Sequence, residues 1–125
     1  MHKIKINGYF KNNDMNSLIN YNCYGEKSDN KIRFEHDNDI ITITLENDKM
    51  LFNRENEEII MNYEFSLNNT TNNNSYKLKK ENLAVNFKIK TTQIINDINK
   101  IFIEFNMIEM DGNCNYQLSI DYKVV

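Results

Sequence analysis

The stretch KMLFNRENEEIIMNYEF, residues 49–65, decides the architecture. Met50, Phe52 and Arg54 occupy every second position, the chain passes through four polar residues, and Ile59, Met61, Tyr63 and Phe65 alternate again. A period of two on both sides of a polar tip marks a β-hairpin with one buried face. Facing residues of a hairpin share a side of the sheet, so register tests the reading. A turn at Asn56-Glu57 sets Arg54 opposite Ile59, Phe52 opposite Met61 and Met50 opposite Tyr63. The apolar faces match, with Arg54 a charge on the apolar side.

The same test extends along the chain. A turn at Asn47-Asp48 pairs Leu45 with Met50, Ile43 with Phe52 and Ile41 with Arg54, and one at Asn38-Asp39 pairs His36 with Ile41 and Phe34 with Ile43. Glu81-Asn82 sets Lys80 opposite Leu83, Leu78 opposite Val85 and Tyr76 opposite Phe87. Asp111-Gly112 sets Glu109 opposite Cys114, Met107 opposite Tyr116 and Phe105 opposite Leu118. These turns agree on one inner face. Further polar clusters, among them KNNDMN, EKSDN, the long LNNTTNNNS loop and NDIN, divide the remainder into short alternating segments. A helical turn competes only in TTQIINDINK, residues 91–100.

An antiparallel meander with one apolar face must bury that face, and closing the sheet on itself removes its edges. The expectation is a single all-β domain over residues 1–125, an up-and-down barrel of about eight to ten strands. A sandwich built from the same hairpins is the alternative.

Composition narrows the function classes. A net charge of −3 argues against strong non-specific affinity for nucleic acid or an anionic membrane. No apolar run is long enough to span a bilayer as a helix. The opening MHKIKINGYF alternates at once and has no apolar signal region, which reads as cytoplasmic. Cys23 and Cys114 form no CxxC pair and read as free thiols. Asparagine is abundant, proline is absent and there are three glycines. Asn tolerates the left-handed backbone region and bonds its own backbone, so it can serve as the turn residue here.

Several features together resemble the YwiB-like family of small bacterial calycin-type barrels. They are the N-terminal IKINGYF, a strand ending in Arg54, one ending in Phe65, one opened by Tyr76, the pair Thr91 and Thr92, and the IFIEF strand. The resemblance covers nearly the whole chain and implies a lipocalin-like barrel, with no activity attached. Asn56 stands where such proteins usually have Gly, KLKKEN replaces an expected Pro and Gly, and the Gly-x-Trp signature of lipocalins is missing because the chain has no Trp.

In a meander, alternate turns lie at the same end. The inner residues nearest one end are then His36, Ile41, Arg54, Ile59, Lys80, Leu83, Glu109 and Cys114; at the other, Ile32, Leu45, Met50, Phe65, Tyr76, Ile89, Ile101 and Tyr122. One mouth is polar and the other apolar. Arg54 sits on the apolar parity because its strand is leaving the core. Two readings follow. These are rim residues reaching water past apolar stems, or Arg54, Lys80 and His36, balanced by Glu109 and with Cys114 beside them, form a mouth for the anionic head of a small amphipathic ligand. Phe34, Phe52, Tyr63, Phe87, Phe105 and Tyr116, with Phe10, Phe65, Tyr76 and Tyr122, line the lumen or fill it.

Catalytic and cofactor chemistry finds little footing. His36 and Cys114 would have to meet across the mouth to act as a nucleophilic pair. EHDND and RENEE lack the Gly and spacing of a calcium loop, no metal site is indicated, and there is no Gly-rich phosphate loop. Lys77, Lys79, Lys88 and Lys90 share an outer face without aromatic residues for base stacking. The chain therefore reads as a non-enzymatic, cofactor-free barrel that binds a small apolar or amphipathic ligand. The alternative is an interaction module that docks or homodimerises through an edge strand or its outer face.

Overall fold

A computed structural model describes residues 1–109 and 112–125, with only the backbone of Glu109. Ten strands run in chain order: β1 (His2–Asn12), β2 (Ser17–Ser28), β3 (Lys31–His36), β4 (Asp39–Leu45), β5 (Met50–Glu55), β6 (Ile59–Phe65), β7 (Thr70–Leu78), β8 (Leu83–Asp97), β9 (Lys100–Glu109) and β10 (Gly112–Val124). Each strand pairs antiparallel with its neighbours in sequence, and β1 pairs with β10, so the meander closes into a barrel. No helix interrupts the described chain. Residues 91–97 continue β8, and a turn with Asn99 in the left-handed region leads into β9.

Inward alternation builds the core. Ile4 and Ile6, Ile32 and Phe34, Ile41 and Ile43, Phe52, Met61 and Tyr63, Phe87 and Ile89, Ile101, Ile103 and Phe105, and Leu118 and Ile120 form one buried cluster. The outward rows carry polar residues such as Lys3, Lys5, Lys88 and Lys90, with an apolar interior, the inverse of a membrane-spanning barrel's apolar outside. No helix is long and apolar enough to cross a membrane.

Within the strands the predicted faces hold, Lys80 leaving the inner face for a turn, but only the Asn47-Asp48 hairpin keeps the predicted register, with Ile41 opposite Arg54. In three others every pair slides by two residues. Phe34 faces Ile41 and His36 faces Asp39; Phe52 faces Tyr63 and Arg54 faces Met61; Tyr76 faces Val85 and Leu78 faces Leu83. The β9–β10 ladder slides likewise, with Met107 opposite Cys114 and Phe105 opposite Tyr116, although its turn lies partly outside the described residues. Moving a turn's centre by one residue shifts the register by two, which preserves the face.

Asparagine does take the turns. Asn16, Asn38, Asn68, Asn82 and Asn99, with Asp37, hold positive φ. Asp37 and Asn38 in succession make the twist-matched hairpin turn that joins β3 to β4. The LNNTTNNNS segment is not a long loop, because β7 starts at Thr70.

Glycine is required at close approaches. A Cβ on Gly8 would lie 2.1 Å from the Ser119 carbonyl oxygen, and one on Gly25 would lie 2.6 Å from the Arg33 carbonyl oxygen. These contacts let β1, β2, β3 and β10 curl tightly.

Candidate functional site

Four connections gather at the end where Arg54 emerges, residues 13–16, 37–38, 56–58 and 79–82, beside the end of β9 and the start of β10. The register slide changes this rim. Asp39, expected in a turn, becomes the first inward residue of β4 and is buried. Its carboxylate accepts from Arg54 Nε at 2.7 Å through Oδ2 and from Asn56 Nδ2 at 2.7 Å through Oδ1. The Asn56 side-chain oxygen in turn accepts from the backbone N–H groups of Glu58 and Ile59 at 2.8 and 3.0 Å. The Asn standing in the expected Gly position thus shapes its turn through its side chain and ties the turn to the ion pair.

Arg54 is therefore already balanced. Its Nη1 approaches Met61 Sδ at 3.9 Å, a weak acceptor, and no other acceptor among the described side chains meets the fork. Tyr21 lies in the same electrostatic neighbourhood. Burial pushes its hydroxyl up to about 12, while Arg54 pulls it down and Asp39 and Cys23 raise it. The Tyr21 ring packs edge-on against Phe34 at 5.2 Å and His36 at 5.1 Å.

Of the other predicted rim residues, His36, Lys80 and Cys114 do not converge on Arg54. His36 is half-buried against Tyr21, and its Nε2 lies 3.3 Å from the exposed Asp37 carboxylate. Lys80 is an exposed residue of the β7–β8 turn and leaves the inner face; the neighbouring Lys79 bonds Glu55 at 3.0 Å. Cys114 is a half-buried free thiol opposite Met107 on the strand next to β1, with no contact to His36. The Glu109 side chain lies outside the described residues. Among the described residues no group of His, Cys, Asp and Glu gathers as a metal would require.

The lumen divides by depth. In its middle, Phe65 and Phe105 meet at 4.7 Å, Phe105 stacks on Tyr116 at 5.2 Å, and Phe10 reaches from β1 to Phe52 on β5 at 5.9 Å. Phe34, Phe52 and Phe105 are core, not lining. Above this aromatic floor a cavity of about 410 Å³ opens to solvent, bounded by Arg54, Tyr63, Tyr76, Val85, Phe87 and Tyr116 among others. Tyr76 had been expected at the opposite end; β7 begins six residues earlier, which carries it up to this mouth. Val85 is half-exposed on the cavity wall.

Sequence reasoning missed Asp39, Asn56 and Tyr21. A lone carboxylate two residues before Ile41, which faces Arg54, was the available signal; opposite-charge pairing favours the register that turns it inward.

No protein-family model matches the chain, and no curated protein does. Among solved structures, the chain is similar to the crystal structure of the ywiB protein from Bacillus subtilis. The TM-score is 0.59 at 17% identity, and the likeness covers 95% of this chain and 89% of that one. At this identity the likeness establishes a shared fold, a closed barrel, over nearly the full length of both chains.

Proposed function

We propose that this chain is a non-catalytic, YwiB-like barrel of calycin type that takes a small, mostly apolar molecule into the mouth above its aromatic floor. The supporting observation is the open cavity of about 410 Å³ between Arg54 and the wall of Tyr76, Val85 and Phe87, a volume within the roughly 300 to 1,000 Å³ of small-molecule sites. The shared fold with the Bacillus subtilis protein, together with the sequence resemblance to its family, supports the kinship.

The sequence pointed to an anionic head group; the ion pair argues for a neutral one. Asp39 already compensates Arg54, and Asp37, Glu57 and Glu58 stand on the same rim. A carboxylate would add negative charge to an acidic edge. A ligand with one carbonyl or hydroxyl oxygen can accept from the remaining guanidinium N–H groups while its apolar body covers Val85 and Tyr76.

Purified protein examined by native mass spectrometry should carry a bound small molecule, released on denaturation. Val85→Trp fills the cavity from a half-exposed position and should abolish the adduct without lowering the melting temperature. Protein consistently free of adduct, or an adduct indifferent to Val85→Trp, argues against the mouth as the site.

A further inference from the structure

The barrel closes unevenly between β2 and β3. Their ladder runs only from Gly25 opposite Phe34 to Ser28 opposite Lys31, whereas β2 pairs with β1 along its whole length. Residues 17–24 of β2 therefore have a partner on one side and a free edge on the other. A comparable gap between β6 and β7 is closed by side chains: Asn74 Oδ1 accepts from Glu64 N–H at 2.7 Å, and Thr71 Oγ1 donates to the Glu64 carbonyl at 2.7 Å. No side-chain hydrogen bond spans the β2–β3 fork among the described residues, where only the inward Tyr21 ring packs across it on Phe34 and His36, and a surface groove of about 430 Å³ lies beside Tyr24, Arg33 and Glu35.

Free edges are ordinarily blunted by lysine, proline, a bulge or brevity. This one, SLINYNCY, has no charge and no proline over residues 17–24. Its outward row is Leu18, Asn20, Asn22 and Tyr24, all exposed, with Leu18 at 54% and Tyr24 at 56%. The row is self-complementary. Antiparallel pairing of two copies about a twofold axis at Tyr21 sets Leu18 opposite Tyr24 and Asn20 opposite Asn22, twice each. A chain of net charge −3 repels its own copies, and here residues 17–24 themselves carry no charge, with Lys3 over the Tyr24 ring at one end and both signs of charge, Lys3, Glu26, Arg33 and Glu35, around the adjoining groove. The groove at the fork leaves room for the end of the second copy's strand beside Tyr24.

We propose that residues 17–24 are a homodimerisation edge, through which two barrels join by antiparallel β2–β2 pairing centred on Tyr21. This surface is distinct from the mouth cavity, so the proposal stands apart from the ligand reading. Sedimentation across a protein concentration series tests it. The wild type should reach the mass of two chains. Asn20→Lys with Asn22→Lys sets like charges opposite each other twice and should weaken association roughly tenfold or more. Asn20→Lys with Asn22→Asp sets opposite charges across the same axis and should restore it. Diluted to where all three are monomeric, the proteins should melt alike, because both asparagines are exposed. A wild type that stays monomeric throughout overturns the proposal and leaves the edge to a strand from another protein. A dimer indifferent to the paired lysines, or one not restored by the lysine–aspartate variant, overturns it as well.

Discussion

Arg54 posed a contradiction in the sequence, a charge in an apolar row, and its resolution is Asp39. The pair sits at the top of the core, with the Asp39 side chain 10% and the Arg54 side chain 24% exposed. Removing one partner of a fully buried pair costs about 3 to 5 kcal/mol. Arg54 keeps some hydration, so Asp39→Ala should cost about 2 to 3 kcal/mol in denaturant unfolding. In a double-mutant cycle with Arg54→Ala, most of that loss should appear as coupling; independent, additive losses would remove the pair from the account. Tyr21 makes a second residue-scale prediction. Its hydroxyl is raised to about 12 in the folded state from 10.0, so the folded protein keeps a proton that the unfolded chain releases. Stability is unaffected below pH 10 and falls as pH rises from 10 towards 12, by on the order of 2 kcal/mol at the upper end. Tyr21→Phe should flatten this part of the profile relative to wild type, and an equal slope in both proteins would contradict the assignment.

At the scale of elements, side faces were legible and turn centres were not. In EHDND either Asp37-Asn38 or Asn38-Asp39 can serve as a turn, and both place Phe34 and Ile41 inward. Alternation cannot distinguish registers that differ by two, yet the choice decides whether Asp39 is a solvated tip or a buried partner. The same ambiguity put Lys80 on the inner face when it belongs to the turn. β7 was hidden for another reason. TTNNNS has the composition of a loop and low strand propensity, but the ladder slips between Thr71 and Asn74 and the buried Asn74 side chain replaces the missing bonds. Besides accepting from Glu64, Asn74 Nδ2 donates to the carbonyls of Thr71 at 3.0 Å and Phe87 at 3.2 Å. Asn74→Ala strands an N–H and two carbonyls inside the barrel wall and should cost about 3 kcal/mol or more. A loss below about 1 kcal/mol in urea unfolding would mean that water or a relaxed backbone takes over those bonds.

For the whole molecule, a meander with one apolar face could be read from residues 49–65 and their neighbours, and the β1–β10 ladder decides for a closed barrel over the sandwich that the same hairpins allow. Which parts of the lumen are filled could not, because ring positions across a barrel depend on strand tilt and curl, set here by close approaches at Gly8 and Gly25. The rings pack the middle and leave the Arg54 mouth open. This mouth is proposed to accept a neutral apolar molecule. Fluorescence titration with the neutral probe N-phenylnaphthylamine tests it directly. A saturable, single-site rise is expected with the wild type, lost in Val85→Trp and much weaker with an anionic naphthalene sulfonate probe in place of the neutral one. No saturable rise, or one that survives Val85→Trp unchanged, would contradict the claim.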